Sequence, residues 1–109
     1  MINFYIQLKN IKTKERTFKL VEGYKLPHGL AAHRDDVDDW CITDMDSGGS
    51  VLTGMATYSS LAPYLKDQEF MEKIFKRRET ETYKKLKKCL EDYIGSLPPQ
   101  EDLEPEDLW

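Results

Sequence analysis

Ile2, Phe4, Ile6 and Leu8 alternate with Asn3, Tyr5, Gln7 and Lys9. Successive strand side chains point to opposite sides, so this period of two predicts a strand over residues 2–9 with one apolar face. Residues 10–16 are polar and turn-like. Residues 17–22 follow with Phe18 and Leu20 on one face, which closes a first β-hairpin. Residues 23–39 are less regular, punctuated by Pro27 and Gly29. Within them, 30–33 reads as a short strand or bend and 34–39 as an exposed acidic loop. Trp40, Cys41, Ile42, Thr43 and Asp44 form the next strand, with Trp40 and Ile42 facing inward. Ser47-Gly48-Gly49 supplies a turn, because glycine accepts positive φ at little cost. Residues 50–53 then pair back.

The period changes after residue 57. Thr57, Ser59 or Ser60 can cap a short helix reaching about Lys66, with Pro63 tolerated in its first turn. Asp67 can cap the next helix. Phe70, Met71, Ile74, Phe75, Leu86, Cys89, Leu90, Tyr93 and Ile94 follow helical spacing, with a weak middle over 77–82. Gly95 is the expected stop, and Leu97-Pro98-Pro99 ends helix formation. The expected fold is α+β: a four-stranded antiparallel sheet of two hairpins on one long C-terminal helix. Residues 1–97 would form a single domain, with 98–109 an acidic, Pro-containing tail. Phe4, Ile6, Phe18, Leu20, Trp40, Ile42, Phe70, Ile74, Leu86 and Leu90 are the expected core. Tyr5, Gln7 and Thr43 fall on the exposed side of the sheet.

Composition narrows the class. Of the 109 residues, 39% are hydrophobic and 33% charged, yet twelve aromatic residues suffice for a core. Disorder throughout is thereby excluded. No apolar run of about 18 residues occurs, which argues against a transmembrane helix. The first residues lack a basic region followed by an apolar stretch, so a cytoplasmic location is expected. Cys41 and Cys89 lie far apart and outside metal-type spacing, as reduced thiols would.

The charge is uneven, and this is more informative than the net value of −4. Five of the twenty acids fall in residues 95–109, which hold no base; the remainder carries fifteen acids against sixteen bases. Residues 35–46 hold six acids and no base, whereas 73–88 hold eight bases against Glu79 and Glu81.

Several stretches carry residue types capable of chemistry. His28 and His33 lie near Asp35, Asp36, Asp38 and Asp39, and imidazole with carboxylates can bind zinc or exchange protons. The spacing matches no closed metal motif, so a solvated loop is the better reading. Asp44-Met45-Asp46-Ser47-Gly48-Gly49 opens like a calcium loop, but Met55 stands where the bidentate Glu is needed. No serine has nucleophile-elbow context and no phosphate-cradling glycine loop occurs. Cys41 has no activating base fixed beside it. No enzyme, cofactor or metal is therefore expected.

Two charged surfaces remain. Lys84, Lys85, Lys87 and Lys88, in the basic stretch that begins at Lys73, could contact nucleic-acid phosphates, against the plainer reading of a solvated helix face. The tail acids Glu101, Asp102, Glu106 and Asp107, together with Asp35, Asp36, Asp38 and Asp39, could occupy a basic surface on a protein partner.

Trp40-Cys41-Ile42-Thr43-Asp44, then Ser47-Gly48, Gly54 and Thr57, resembles a hairpin of small phage and mobile-element proteins, roughly W-x-[IV]-T-[DH]-x-x-[TS]-G. The match covers about a fifth of the chain. The resemblance implies a non-enzymatic accessory protein that binds and blocks a host protein, such as a CRISPR nuclease or another defence effector. The alternatives are a small regulator touching nucleic acid through the basic helix, or a structural oligomerisation module.

Overall fold

A computed structural model of the chain describes residues 1–9, 12, 13 and 15–97. It is an α+β protein with a five-stranded antiparallel sheet whose spatial order follows the chain: β1 (Ile2–Lys9), β2 (Arg16–Lys25), β3 (Leu30–Arg34), β4 (Trp40–Asp44) and β5 (Ser50–Met55). Three helices follow: α1 (Ala62–Lys66), α2 (Gln68–Arg77) and α3 (Glu81–Ser96).

The extra strand is β3, the segment 30–33 whose pattern allowed either a strand or a bend. Leu30, Ala31 and Ala32 are fully buried on it. Alternation is invisible there because both faces are covered, so both faces are apolar. One face carries Leu30, Ala32 and Ile42, which pack with Leu26, Leu61 and Ile74 as the main core. The other carries Ala31, His33, Cys41 and Thr43, all buried, with Phe4 edge-on to His33 at 5.4 Å. Thr43 is therefore an interior residue and not part of an exposed sheet face.

The short helix expected to reach Lys66 is α1, and the long helix expected after Asp67 divides into α2 and α3. Asp67 breaks the first junction and caps α2 by accepting from Glu69 N and Phe70 N. The weak middle over 77–82 is a real interruption, where Thr80 accepts from Tyr83 N and restarts the helix as α3. Thr57 caps the short 3-10 turn Tyr58–Leu61 with a reciprocal hydroxyl box to Ser60. Gly95 lies inside α3 and is not its stop; the helix runs to Ser96 before Leu97 turns extended.

Placement of α3 also corrects the first hairpin. Tyr83, Leu86, Leu90 and Tyr93 recur every three or four residues and form its inward stripe. Tyr93 stacks edge-on to Phe18 at 4.3 Å and tilts against Tyr5 at 5.4 Å. Gln7 donates from Nε2 to the carbonyls of Ser47 (2.7 Å) and Leu86 (3.0 Å). The Tyr5–Gln7 side is thus covered by helix. Of the expected core, Phe4, Ile42, Ile74 and Leu90 are buried; Ile6, Phe18, Trp40, Phe70 and Leu86 are half-buried; Leu20 is 53% exposed.

Two local constraints hold this arrangement. At Gly23, β2 stops pairing with β1 and starts pairing with β3. A Cβ there would sit 2.2 Å from the Ala32 carbonyl oxygen, so only glycine permits the approach. Asp44, buried at the end of β4, accepts from Asp46 N (3.0 Å) and Ser47 N (3.4 Å) within its own turn. Its carboxylate also receives Arg78 Nε at 3.0 Å and Tyr83 Oη at 3.1 Å, from the α2–α3 junction. The calcium-like turn therefore holds a guanidinium from its own chain.

Gly23→Ala is expected to destabilise by about 1–3 kcal/mol through the forced backbone shift, read as a lower urea midpoint. Burial, then the Asp44 charge, push the Tyr83 hydroxyl up to about 12, from an ordinary value of about 10. A raised folded pKa gives a contribution that is full below about pH 10 and lost as pH rises from about 10 to 12. Tyr83→Phe should cost about 1.5–3 kcal/mol at neutral pH and flatten this alkaline loss, measured as urea midpoints at neutral and alkaline pH.

Candidate partner-binding surface

The β3–β4 connection places the acidic loop. Asp35 Oδ1 accepts from Val37 N and Asp39 N, both at 3.0 Å, and Oδ2 lies 3.6 Å from Cys41 Sγ. Backbone bonds Asp38 N to Asp35 O and Asp35 N to Asp39 O complete the turn. Asp38 takes φ +66°, a left-handed value that aspartate tolerates better than most residues. The Asp39 amide, the strongest influence on it, holds the Asp35 carboxyl below its ordinary value.

The four aspartates therefore have different roles. Asp35 organises the loop and turns its charge inward. Asp36 and Asp38 are exposed and meet bases of the same chain, Lys19 at 2.9 Å and Arg34 at 4.0 Å. Such exposed pairs are each worth roughly 0–1 kcal/mol, so both carboxylates are available to another cation. Asp39 is half-buried at the start of β4. The tail acids Glu101, Asp102, Glu106 and Asp107 lie outside the described residues.

Beside this loop stands a group of rings that no local pattern signals. Tyr24 on β2, Trp40 on β4 and Tyr58 on the 3-10 turn meet at centroid distances of 5.1 to 6.1 Å. Tyr24 is 46% and Tyr58 44% exposed, and Val37 at the loop tip is 74% exposed. Buried aromatic clusters are ordinary core; three rings left half-open at one end of a sheet are not. Arg34 lies over the Trp40 ring, its Cζ 5.3 Å from the centroid, so that ring face already carries a cation. A groove of about 520 Å³, lined in part by Met1, Val21, Tyr24, Arg34 and Trp40, adjoins it.

Each candidate histidine is held by groups other than the loop aspartates. His33 is buried on β3, with Nε2 2.8 Å from Thr43 Oγ1 and Nδ1 3.1 Å from the Arg34 carbonyl. A carbonyl only accepts, so in the neutral ring Nδ1 carries the proton and Nε2 accepts from Thr43. Both nitrogens are occupied by structural bonds. His28 sits in a 3-10 turn, edge-on to Phe75 at 5.3 Å. Among the described residues no three His, Cys, Asp or Glu side chains gather as a metal site.

Lys84, Lys85, Lys87 and Lys88 are exposed on α3. Lys84 lies 3.6 Å from Glu81, and Glu91 and Asp92 are also exposed on the same helix, so its wet surface is mixed in sign. No described helix is long and apolar enough to cross a membrane. Compared with known proteins, the chain matches no family model, no curated protein and no solved structure.

Both cysteines are free thiols. Burial, then the neighbouring Asp35 charge, raise the Cys41 pKa and keep it protonated. Iodoacetamide at neutral pH should therefore give one adduct, at half-buried Cys89, with Cys41 modified only in denaturant; peptide mass spectrometry locates each adduct.

Proposed function

We propose that this chain is a non-enzymatic binding protein that engages a basic surface on another protein through the β3–β4 end of its sheet. The half-open ring cluster Tyr24, Trp40 and Tyr58, which the acidic loop of residues 35–39 leads into at Trp40 and to which Asp38 is linked through Arg34, carries the reading. Protein interfaces concentrate binding energy in aromatic residues at their centre, with polar and charged groups at the rim. A partner Arg or Lys reaching the rings would find carboxylates within the same patch, and the Arg34 seat on Trp40 supports an affinity of this surface for cations.

The hairpin resemblance extends the proposal to a blocking role. Clustered carboxylates can stand in for nucleic-acid phosphates in a Lys- and Arg-lined groove, so the suggested target is a host nucleic-acid-binding protein such as a defence nuclease. The tail acids would add a second, independent arm of contact.

The test is capture from host lysate followed by affinity measurement on the captured protein. Tyr24→Ala with Tyr58→Ala, and separately Asp36→Lys with Asp38→Lys, should each weaken binding by about tenfold or more while thermal unfolding stays cooperative. Affinity should also fall with salt, since exposed charges are screened beyond about 10 Å at 0.1 M. Deletion of residues 99–109 should lower it separately. Wild-type affinity in both double variants would overturn the surface assignment. Salt-sensitive binding to generic DNA, lost when Lys84, Lys85, Lys87 and Lys88 become Gln, would establish the nucleic-acid regulator instead.

A further inference from the structure

A second cavity, of about 170 Å³, lies between α2, the start of α3 and the β4–β5 connection. Val51, Phe70 and Ile74 give it an apolar lining, and Lys73 and Arg77 stand among its walls. An apolar cavity of about 150 Å³ accommodates a benzene-sized body, so this space suits one ring or a branched chain of similar bulk.

Its charge is unbalanced. Asp44 also lines the cavity, but Arg78 neutralises it, and Tyr83 and two backbone amides fill its remaining lone pairs. Lys73 and Arg77 are thus left as a like-charged pair four residues apart on α2, a spacing that disfavours the helix. Arg77 Nη1 donates to the Ser50 carbonyl at 3.2 Å, which holds the guanidinium at the rim. Lys73 has no hydrogen-bond or ion-pair partner among the described residues.

We infer that this cavity binds a small monocarboxylate with a compact apolar body. Its ring or branched chain fills the space against Val51, Phe70 and Ile74, and its carboxylate bridges Lys73 and Arg77. A bare phosphate fits less well, because the turn offers no free amide nest: Ser47 N, Gly48 N and Gly49 N all donate within the turn. The site is independent of the ring cluster and of any protein partner.

Benzoate serves as the probe, with benzamide as its uncharged isostere and inorganic phosphate as the bare anion. In a heteronuclear NMR titration, benzoate should shift the signals of Val51, Phe70 and Ile74 saturably, and benzamide should bind about tenfold more weakly. Lys73→Gln with Arg77→Gln should reduce benzoate affinity by about tenfold or more, and Val51→Phe should abolish binding by filling the space. Three results would overturn the assignment: benzoate shifts that scatter or fail to saturate, undiminished affinity in the Lys73/Arg77 variant, or phosphate binding as tightly as benzoate. Because Lys73 and Arg77 are exposed, their substitution tests the site even if the Val51 variant does not fold.

Discussion

The arrangement of sheet and helices turns on one buried carboxylate. Asp44 ends β4, organises the turn into β5 through two backbone amides, and receives Arg78 and Tyr83 from the two sides of the α2–α3 junction. A charge withdrawn from water this far is costly unless every lone pair is matched, and here the matching groups come from both layers of the fold. The pairing fixes position more than it adds stability. It sets where α2 must end, where α3 must begin and how the β4–β5 turn faces them. Arg78 extends the same link to the His28 carbonyl, so the turn before β3 is fastened to the same point.

How far this was legible in the sequence differs by element. β1, β4 and the Gly48 turn show in the period-two pattern and the glycine placement, because each has a distinct local signal. β3 did not, since a strand covered on both faces has no alternation to read and Ala31 and Ala32 are equally good in a helix. The break at residues 78–80 was visible only as a weakening of the apolar stripe; the reason for it is that Arg78 is drawn to Asp44, a contact 34 residues away. Asp44 opens a stretch that resembles the start of a calcium loop without its bidentate Glu, and the guanidinium that does satisfy it lies 34 residues on, where no local pattern shows it.

The candidate surface was half legible. The aspartate run was plain, but its division of labour was not: Asp35 and Asp36 are neighbours in the chain, yet one is the bonded centre of the loop and the other is exposed beside Lys19. The ring cluster was out of reach of any local reading. Tyr24, Trp40 and Tyr58 come from three elements and meet only because β2 crosses to pair with β3 at Gly23. His33, conversely, drew attention through its acidic neighbours in sequence, while its actual neighbours are Phe4 and Thr43.

The strand order has a consequence for how the molecule is made. Because each strand pairs with the one before it, the sheet needs no crossover and most pairings close over short loops, a topology that favours rapid folding. During synthesis, β1 to β4 can assemble in the order in which they emerge. Asp44 is then in place at the end of β4 while its cationic partner is still to be made. The carboxylate must keep its water until residue 78 arrives, and closure of the core waits for the chain to reach the α2–α3 junction.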